Sequence, residues 1–387
     1  MTSSRMTRSD LLLPKSGRWH LAAVAFAAIC ALLVLGCSTT ASAGPNSDTV
    51  VVQNITDETF DPQGEVQAAT PPPAPTAAPA APAPATGVDL QAIKPNELGT
   101  IPILEYHMIV AAEEDQWAIT PDHFRQDLQR LYDAGYRPIN LNDFLDGRID
   151  IPAGTSPVAL TFDDSSPGQF RFLERDGQLV VDPESAVGIM EAFEAAHLDF
   201  KARGTFNVLP EAEQPNKLFG QPEYEAEKLR YLVDHGFEIG NHSWWHQRLD
   251  IVDDEEVQRQ LAFAVKSIQQ AVPGYNVRTL ALPLGMWPAA QALAIQGAFD
   301  GSSYGHDAVL LVGSDPAPSP YSKDYDPYYL ERVQSFGDSV ERWITYLEQH
   351  PDEHYISDGD PSTVTFPKVL ESQLNTGALG NQTARAY

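Results

Sequence analysis

Two short stretches of the sequence carry residues that could do chemistry together. The apolar run Val158–Phe162 ends on two adjacent carboxylates, Asp163 and Asp164, and a later strand-like stretch is followed by His242 and His246. Neighbouring aspartates repel each other, and a bound cation is the simplest way to offset that repulsion. One carboxylate and two imidazoles supply three ligands to a divalent ion and leave a position open for water or substrate.

The two aspartates would then have different tasks. Asp164, His242 and His246 would hold an ion that lowers the pKa of bound water and polarises a carbonyl group. Asp163 would stay free to act as general base on that water. The i, i+4 spacing lets both imidazoles face one way if the segment turns helically after its strand. Non-haem iron oxygenases use the same ligand types, so the ligand set does not fix the reaction.

Strand-like and helix-like segments alternate around these stretches. The apolar patterns predict strands at 101–107, 158–162, 205–208, 237–240, 279–282, 308–312 and 329–333, with helices at about 120–135, 185–197, 223–235, 253–271 and 339–350. Asp176-Gly177 predicts a hairpin inserted near the mouth of the site. The alternation favours an α/β barrel or a doubly wound sheet, and in such barrels chemistry gathers where the strands end.

Composition limits the class of protein. The chain of 387 residues can hold one large domain of roughly 250 residues with additional segments, or two smaller domains. A net charge of −28 argues against a nucleic acid partner, because phosphate binding needs a basic surface. The two cysteines, Cys30 and Cys37, both lie near the N-terminus, so we expect neither a disulfide framework nor a cysteine-ligated metal site.

The N-terminus is typical of an exported bacterial lipoprotein. A basic start precedes an apolar run that is short for a membrane span and ends in Leu-Gly-Cys at Cys37. We expect residues 1–36 to be a signal peptide and Cys37 to carry the lipid, which places the protein on the extracytoplasmic face of the cell membrane. An ordinary cleavage after Ala43 is the alternative.

Composition also divides the rest of the chain. Residues 37–92 include a run of Ala, Pro and Thr that has nothing to bury, which predicts a disordered stalk of extended polyproline geometry. Residues 93–370 form the predicted domain, and 371–387 are expected to be a flexible tail.

The combination Thr161-Phe162-Asp163-Asp164 with His242-Ser243-x-x-His246 resembles the polysaccharide deacetylase (NodB-homology) domain of carbohydrate esterase family 4, over residues 98–370. The resemblance implies a distorted (β/α)7 barrel and metal-dependent removal of N- or O-acetyl groups from a sugar polymer. By motif position, it makes Asp163 the base and Asp164, His242 and His246 the metal ligands. Zn²⁺ is the expected ion, with Co²⁺ or Ni²⁺ possible.

The third motif of that family corresponds to Ala281-Leu282-Pro283-Leu284-Gly285. The backbone N–H of Leu284 would help to bind the oxyanion, and Pro283 is assigned to substrate binding. The arginine that steadies the catalytic aspartate in the family is replaced by Ala281. Arg332 is the candidate to orient the base from elsewhere in the chain, and Arg278 is the alternative.

The last family motif carries a histidine that acts as general acid, and no such stretch follows the third motif. In circularly permuted members that strand comes first, and Ile103-Leu104-Glu105-Tyr106-His107 matches it. The resemblance therefore implies that His107 protonates the leaving amine. The alternative is a first-strand histidine packed beneath the metal site.

Aromatic residues near the expected mouth could stack on sugar rings. Trp287 is assigned to substrate binding, and Trp244 and Trp245 are further candidates. Tryptophan is more often half-buried packing, which is the alternative for each of them.

Three functions fit the sequence. The leading hypothesis is a surface-anchored, metal-dependent deacetylase acting on peptidoglycan, an exported polysaccharide or chitin-like oligomers. Its rival is a non-catalytic carbohydrate-binding or cell-wall lipoprotein on a degenerate deacetylase scaffold, an idea supported by the missing arginine at Ala281. Metal-dependent glycoside cleavage is the third.

Overall fold

The structure is a computed structural model that describes residues 89–112 and 114–387. The predicted signal peptide, the lipid-bearing Cys37 and the stalk up to residue 88 lie outside the described residues. The last residues of the predicted stalk differ from expectation, because Leu90–Ile93 form a helical turn. The Asp89 side chain caps this turn by accepting hydrogen bonds from the backbone N–H groups of Gln91 and Ala92.

Strands and helices alternate along the described chain. The strands are β1 Ile103–Tyr106, β2 Met108–Ile109, β3 Ala118–Ile119, β4 Tyr136–Ile139, β5 Ser156–Phe162, β6 Phe172–Arg175, β7 Gln178–Val181, β8 Thr205–Val208, β9 Glu238–Asn241, β10 Thr279–Ala281, β11 Gln296–Phe299, β12 Ser302–Gly305, β13 Ala308–Leu310, β14 Val333–Gln334, β15 Thr363–Phe366 and β16 Thr383–Ala386. The helices are α1 Leu90–Ile93, α2 Pro121–Asp133, α3 Leu141–Leu145, α4 Ala186–Ala196, α5 Glu225–Asp234, α6 Asp254–Ala271, α7 Ala292–Ile295 and α8 Ser339–Gln349.

A curled parallel sheet organises these elements. Its order is β13-β10-β9-β8-β5-β1-β14. Strand β4 is an additional strand: it pairs with the first half of β5, along the same edge of β5 that pairs with β8 near its C-terminal end. A parallel bridge between Leu310 and Leu330 joins the end of β13 to the segment just before β14. The two edges of the sheet therefore meet, and the predicted α/β barrel, distorted by the shared position of β4 and β8, is confirmed.

The central strand β5 has the sequence of a strand covered on both faces. All seven of its residues are buried, as expected for a parallel strand with helices outside and packed side chains inside. Helices cover the sheet through apolar stripes; on α2 this stripe consists of Phe124, Leu128 and Leu131. Thr120 caps α2 and Asp253 caps α6, at the two positions where the predicted helices begin. Because parallel strands present their carboxyl ends together, this packing brings distant motifs to one rim.

The hairpin around Asp176-Gly177 is also present, as the antiparallel pair β6–β7. The insertion that contains this hairpin contacts the site through its first residue. Buried Gln169 donates a hydrogen bond from Nε2 to the carbonyl oxygen of His107 at 2.6 Å. The predicted strand 329–333 is placed differently, because regular pairing with β1 begins only at Val333.

The predicted flexible tail is wrong as a description of residues 371–387. Strand β16 pairs in parallel with β15 in four-residue register, and the N–H of Lys368 donates to the carbonyl oxygen of Tyr387. Leu374 is buried in the same apolar cluster as Val364 and Phe366. Polar composition misled the prediction, since backbone pairing and one buried leucine are enough to fix a short segment. No helix among the described residues is both long and apolar enough to span a bilayer.

A buried carboxyl group lies away from the sheet rim. Glu97 is 3% exposed and accepts hydrogen bonds from the N–H of Thr365 at 2.6 Å and of Asp358 at 3.3 Å. Burial, followed by repulsion from Asp358, raises the pKa of Glu97 to about 8. The folded protein therefore holds a proton here that the unfolded chain releases near its ordinary pKa of 4.5.

We expect this proton to make stability fall with rising pH. Because the folded pKa of Glu97 is raised, its stabilising proton is fully present below pH 4.5 and is lost as the pH rises through about 8. Glu97→Gln should remove this dependence. The free energy of unfolding of the variant minus that of the wild type should therefore increase by as much as about 4 kcal/mol from pH 5 to pH 8. Chemical denaturation at both pH values measures the difference. The exposed change Glu371→Gln is the control, and a wild-type-to-variant difference that stays constant with pH would contradict the prediction.

Candidate metal and catalytic site

The site lies at the carboxyl ends of the barrel strands. Asp163 and Asp164 follow β5, His242 follows β9, and His107 follows β1. They line one cavity of about 160 Å³, together with Glu105, Trp117, Leu282, Leu284 and Val312. The structure thus brings together residues that are far apart in the chain. Pro283 and Trp287 are not among the residues that line this cavity, and neither are Trp244 and Trp245.

Asp164, His242 and His246 converge on a common point. Asp164 Oδ1 lies 3.3 Å from His242 Nε2 and 3.4 Å from His246 Nε2. Ligands bound at 2.0–2.2 Å to a tetrahedral ion lie roughly 3.3–3.6 Å from each other, so this spacing fits a zinc-sized ion. Asp164 and His246 remain partly exposed to the cavity, which leaves room for a further ligand.

A second contact selects the ligating nitrogen of His242. Its Nδ1 lies 2.8 Å from the carbonyl oxygen of Ala281, a group that can only accept, so Nδ1 carries the proton and Nε2 keeps its lone pair. Burial opposes protonation of His242, but the carboxylates of Asp163 and Asp164 outweigh it and raise the pKa of the imidazole. Burial and the neighbouring His242 lower the pKa of His246 to about 4, which keeps that ring neutral and able to ligate.

The two histidines meet by a route that differs from the expected helical turn. The segment after β9 is not helical; instead Ser243 has φ 69° and His246 has φ 64°. The left-handed region is unfavourable for these residue types, and such strain gathers at functional sites. Asp164 and Leu284 share this feature, with φ 75° and φ 57°. Tight turns at three strand ends therefore bring Asp164, His246 and Leu284 to the same cavity.

Asp163 is fixed by a buried arginine. Arg332 is fully buried and donates from Nη1 to Asp163 Oδ1 at 2.9 Å and from Nη2 to Asp163 Oδ2 at 2.8 Å. Burial alone would raise the pKa of Asp163, but the guanidinium overrides it and holds that pKa well below the usual range. Arg332 thus makes the contact for which the sequence named it. Arg278, the alternative, instead binds Asp146 and Asp307.

Asn207 on β8 is a further partner of Asp163 that the sequence analysis missed. Its Nδ2 donates to Asp163 Oδ1 at 2.7 Å. A Cβ atom on Gly240 would lie 2.0 Å from Asn207 Oδ1, so glycine on the neighbouring strand makes room for this side chain. A polar residue within a buried strand was the available signal, but only the strand register links it to Asp163.

His107, which follows β1, lines the same cavity as the three candidate ligands. Its ring meets the ring of Trp117 edge to face at 4.9 Å between centroids, and its Nε2 lies 3.7 Å from Glu105 Oε1. Burial lowers the pKa of His107, against the attraction of Asp163 and Asp164. Glu105 and Trp117 also line the cavity, and the sequence suggested no role for either of them.

The other tryptophans make packing contacts. Trp244 stacks on Trp245 at 4.9 Å and packs edge to face against Phe263. The Arg259 guanidinium lies 4.6 Å from the Trp245 ring. Trp287 packs against Tyr329, whose side chain is 46% exposed. Trp244 and Trp245 therefore make the packing contacts that were the alternative to sugar binding. Trp287 and Tyr329 form an aromatic pair outside the cavity.

Comparison with known proteins agrees with this site. Residues 150–297 match the family model for polysaccharide deacetylase. A chitooligosaccharide deacetylase of Sinorhizobium fredii is 31% identical over 84 residues, which span 21% of this chain and 39% of that protein. The matched part of the chain therefore spans about two fifths of the length of this curated relative.

Two solved structures are similar at lower identity. A Streptococcus pyogenes deacetylase in complex with acetate aligns at 18% identity and a TM-score of 0.48, covering 64% of this chain and 97% of its own. A polysaccharide deacetylase from Bacillus cereus aligns at 16% identity and a TM-score of 0.47, covering 64% and 68%.

Loss of one ligand should abolish tight metal binding. We expect His246→Ala to weaken Zn²⁺ or Co²⁺ affinity at least ~100-fold, because two remaining protein ligands cannot complete the site. Isothermal titration of the metal-free protein measures the affinity. The exposed ring of His235 is the matched control, and His235→Ala should bind metal as the wild type does. Equal affinity in His246→Ala and the wild type would show that the ion is held elsewhere.

The family match over residues 150–297, the chitooligosaccharide deacetylase relative and the ligand geometry at Asp164, His242 and His246 together support a polysaccharide deacetylase (NodB-homology) domain in this chain.

Proposed function

We propose that this protein is a metal-dependent hydrolase that removes acetyl groups from an N-acetylated or O-acetylated polysaccharide at the cell surface. The observation that carries the proposal is that ligand atoms of Asp164, His242 and His246 lie close enough together to bind one ion. The Asp163 carboxylate lies beside them, with its Oδ2 3.9 Å from His242 Nε2. A bound divalent ion at this point, Zn²⁺ by its ligand types and Co²⁺ or Ni²⁺ as alternatives, supplies a Lewis acid for the acetyl carbonyl and lowers the pKa of water.

Asp163 is the general base of the proposal. Arg332 and Asn207 both donate hydrogen bonds to its carboxylate, so the orientation of this carboxylate does not depend on the substrate. In this position it accepts the proton of the attacking water. The arginine keeps Asp163 ionised before the reaction, which a base requires.

Leu284 and His107 serve the other two steps. The backbone N–H of Leu284, on the strained turn in the cavity wall, is the donor to the oxyanion of the tetrahedral intermediate. His107 is the general acid that delivers a proton to the departing amine or alcohol. It lines the same cavity as the candidate metal ligands, so it can reach a leaving group that is bound there.

The rival function, a non-catalytic carbohydrate-binding or cell-wall lipoprotein, rests on the missing arginine at Ala281. The bidentate Arg332–Asp163 contact favours the enzyme instead, because an arginine reaches the base from the residue just before β14 rather than from the third motif. For substrate contacts beyond the cavity we propose Pro283 and the Trp287 ring, whose partner Tyr329 is exposed.

We further propose that the protein is attached to the membrane through a lipid on Cys37, with the domain on the extracytoplasmic side. The support is the sequence alone: a basic start, a short apolar run and Leu-Gly-Cys. The acetylated polymer is then reached by a domain carried on the Pro/Ala-rich stalk.

Removing the base should remove the activity. Asp163→Asn should lower the rate of acetate release from N-acetylglucosamine polymers by about 10²–10⁴-fold, since an amide cannot accept the proton. The coupled detection of acetate with added Zn²⁺ measures it, and the exposed change Asp122→Asn is the control. Metal binding should persist in the variant. New reducing ends without acetate would point instead to glycoside cleavage, and unchanged acetate release in Asp163→Asn would refute the assignment of the base.

Cys37→Ser should release the protein from the membrane. Without the thiol no lipid can be attached, so the variant should lose incorporation of labelled fatty acid and shift to the soluble fraction after cell lysis. Cys30→Ser is the matched control and should stay with the membrane fraction. Fatty-acid labelling that survives in Cys37→Ser would disprove the anchor.

A further inference from the structure

The loop 242–246 follows β9 and carries both candidate histidine ligands. We call it the ligand loop. It is not helical, and two of its residues, Ser243 and His246, have positive φ values. A buried backbone N–H without an acceptor costs free energy, so a loop without regular structure needs acceptors from elsewhere. In the ligand loop, side-chain amides supply them.

Gln260 on α6 supplies the acceptor for the middle of the ligand loop. Its side chain is fully buried, and its Oε1 accepts hydrogen bonds from the backbone N–H groups of Trp244 and Trp245, each at 3.2 Å. Its Nε2 donates to Glu256 Oε1 at 2.7 Å, one helical turn earlier. Because one end of the amide meets two donors and the other end meets an acceptor, the orientation of the amide is fixed.

Asn241, the last residue of β9, supports the start of the ligand loop in the same way. Its Oδ1 accepts from the N–H of Ser243 at 2.8 Å, and its Nδ2 donates to the carbonyl oxygen of Leu261 at 3.2 Å. Leu261 follows Gln260 on α6, so both amides attach the loop to the same helical turn. Three successive N–H groups can bind an anion, but here the two amide oxygens already occupy them.

The two histidines depend on this attachment to different degrees. The ring of His242 has its own anchor, because its Nδ1 donates to the carbonyl oxygen of Ala281 at 2.8 Å. Within residues 89–112 and 114–387, no such backbone acceptor holds the ring of His246, whose Nε2 lies 3.4 Å from Asp164 Oδ1. The backbone of the ligand loop therefore sets the position of His246.

We propose that Gln260 is a positioning residue for the metal site: it holds the ligand loop so that His246 lies at ligand distance from Asp164. Gln260 is not among the residues that line the cavity, so it would act only through the loop. The proposal rests on the metal site of the proposed function, but it makes no use of the acetyl chemistry. Helix α6, rather than a helical turn within the loop, then sets the position of the second imidazole.

The test measures metal affinity in Gln260→Met, which keeps the length of the side chain but removes both hydrogen bonds to the loop. We expect Zn²⁺ and Co²⁺ to bind about 10–100-fold more weakly in isothermal titration of the metal-free protein, the usual effect of losing a group that orients a ligand. The visible absorption of bound Co²⁺ should change as well, because it reports the geometry of the ligands.

Gln258→Met on the same helix is the matched control. Gln258 is half-buried, and its Oε1 faces the N–H of Ala298 on the β11–β12 hairpin instead of the ligand loop. This variant should bind both metals as the wild type does. Unchanged affinity and an unchanged Co²⁺ spectrum in Gln260→Met would overturn the proposal.

An exchange of two side chains tests the hydrogen bonds themselves. Gln260→Glu alone places a second carboxylate against Glu256, so it should weaken metal binding. In the double variant Gln260→Glu with Glu256→Gln, the carboxylate accepts from the loop and the amide donates to it. Metal affinity should then return to within about 3-fold of the wild type. A double variant that binds as weakly as Gln260→Met would contradict the proposal.

A general loss of stability is tested separately. Leu128→Ala empties part of the buried stripe of α2, so it should destabilise the fold and leave metal affinity unchanged. A loss of affinity in Leu128→Ala equal to that in Gln260→Met would count against a specific role of Gln260. If Gln260→Met does not fold, Gln260→Asn decides, because it withdraws the amide from the loop by one methylene group. Unchanged metal affinity in Gln260→Asn would then disprove the role.

A wild type that binds no metal would refute the proposed function instead. Hydrogen exchange of the Trp244 and Trp245 N–H groups, measured without metal, still reports on Gln260 in that case. Both groups should exchange faster in Gln260→Met than in the wild type, because they lose their acceptor. Equal exchange rates in the two proteins would show that Gln260 does not hold the loop.

Discussion

The site depends on the buried charge of Arg332. A guanidinium with no exposed surface must be fully paired, and it finds its partners on three parts of the barrel: the carboxylates of Asp163 and Glu105, the hydroxyl of Thr161 and the carbonyl oxygen of Leu311. Removing any one partner would leave a buried charge short of a bond, which costs far more than the pair contributes when intact. The arginine thus ties β1, β5 and the end of β13 to one geometry.

Strained turns complement this fixed centre. Asp164, Ser243, His246 and Leu284 all have positive φ values, at the ends of three different strands. Each turn is unfavourable on its own, and packing of the barrel beneath it must supply the free energy that keeps it in place. The rim is therefore shaped by backbone conformation as much as by side-chain identity. This is why the ring of His246 can reach Asp164 although no helix connects it to His242.

Much of the site could be predicted from the sequence because its residues lie in short local motifs. An apolar run that stops at Asp163 and Asp164 predicts a strand end, and His242 and His246 supply the complementary ligands. The helices and most strands follow from apolar periodicity and caps such as Thr120 and Asp253.

The remaining features depend on three-dimensional neighbours. Arg332 is 169 residues from Asp163, and Asn207 is 44 residues away, so only the sheet order places them together. Glu105 lies within a motif whose histidine was recognised, but its partner Arg332 lies just before β14, 227 residues further along the chain. The ordered residues 371–387 were missed for a similar reason, since pairing between β15 and β16 leaves little trace in composition.

The closure of the sheet near Leu330 has a consequence for biogenesis. His107 follows the first sheet strand and Arg332 lies beyond residue 330, so the segment 150–297 that matches the family model contains neither. Because a chain is synthesised from its N-terminus, both aspartates and both histidines are made well before the segment that closes the sheet. Under the proposed function, catalytic competence would thus arise late, as a property of the closed sheet, and a nascent or truncated polypeptide could bind a metal ion while remaining inactive on glycan.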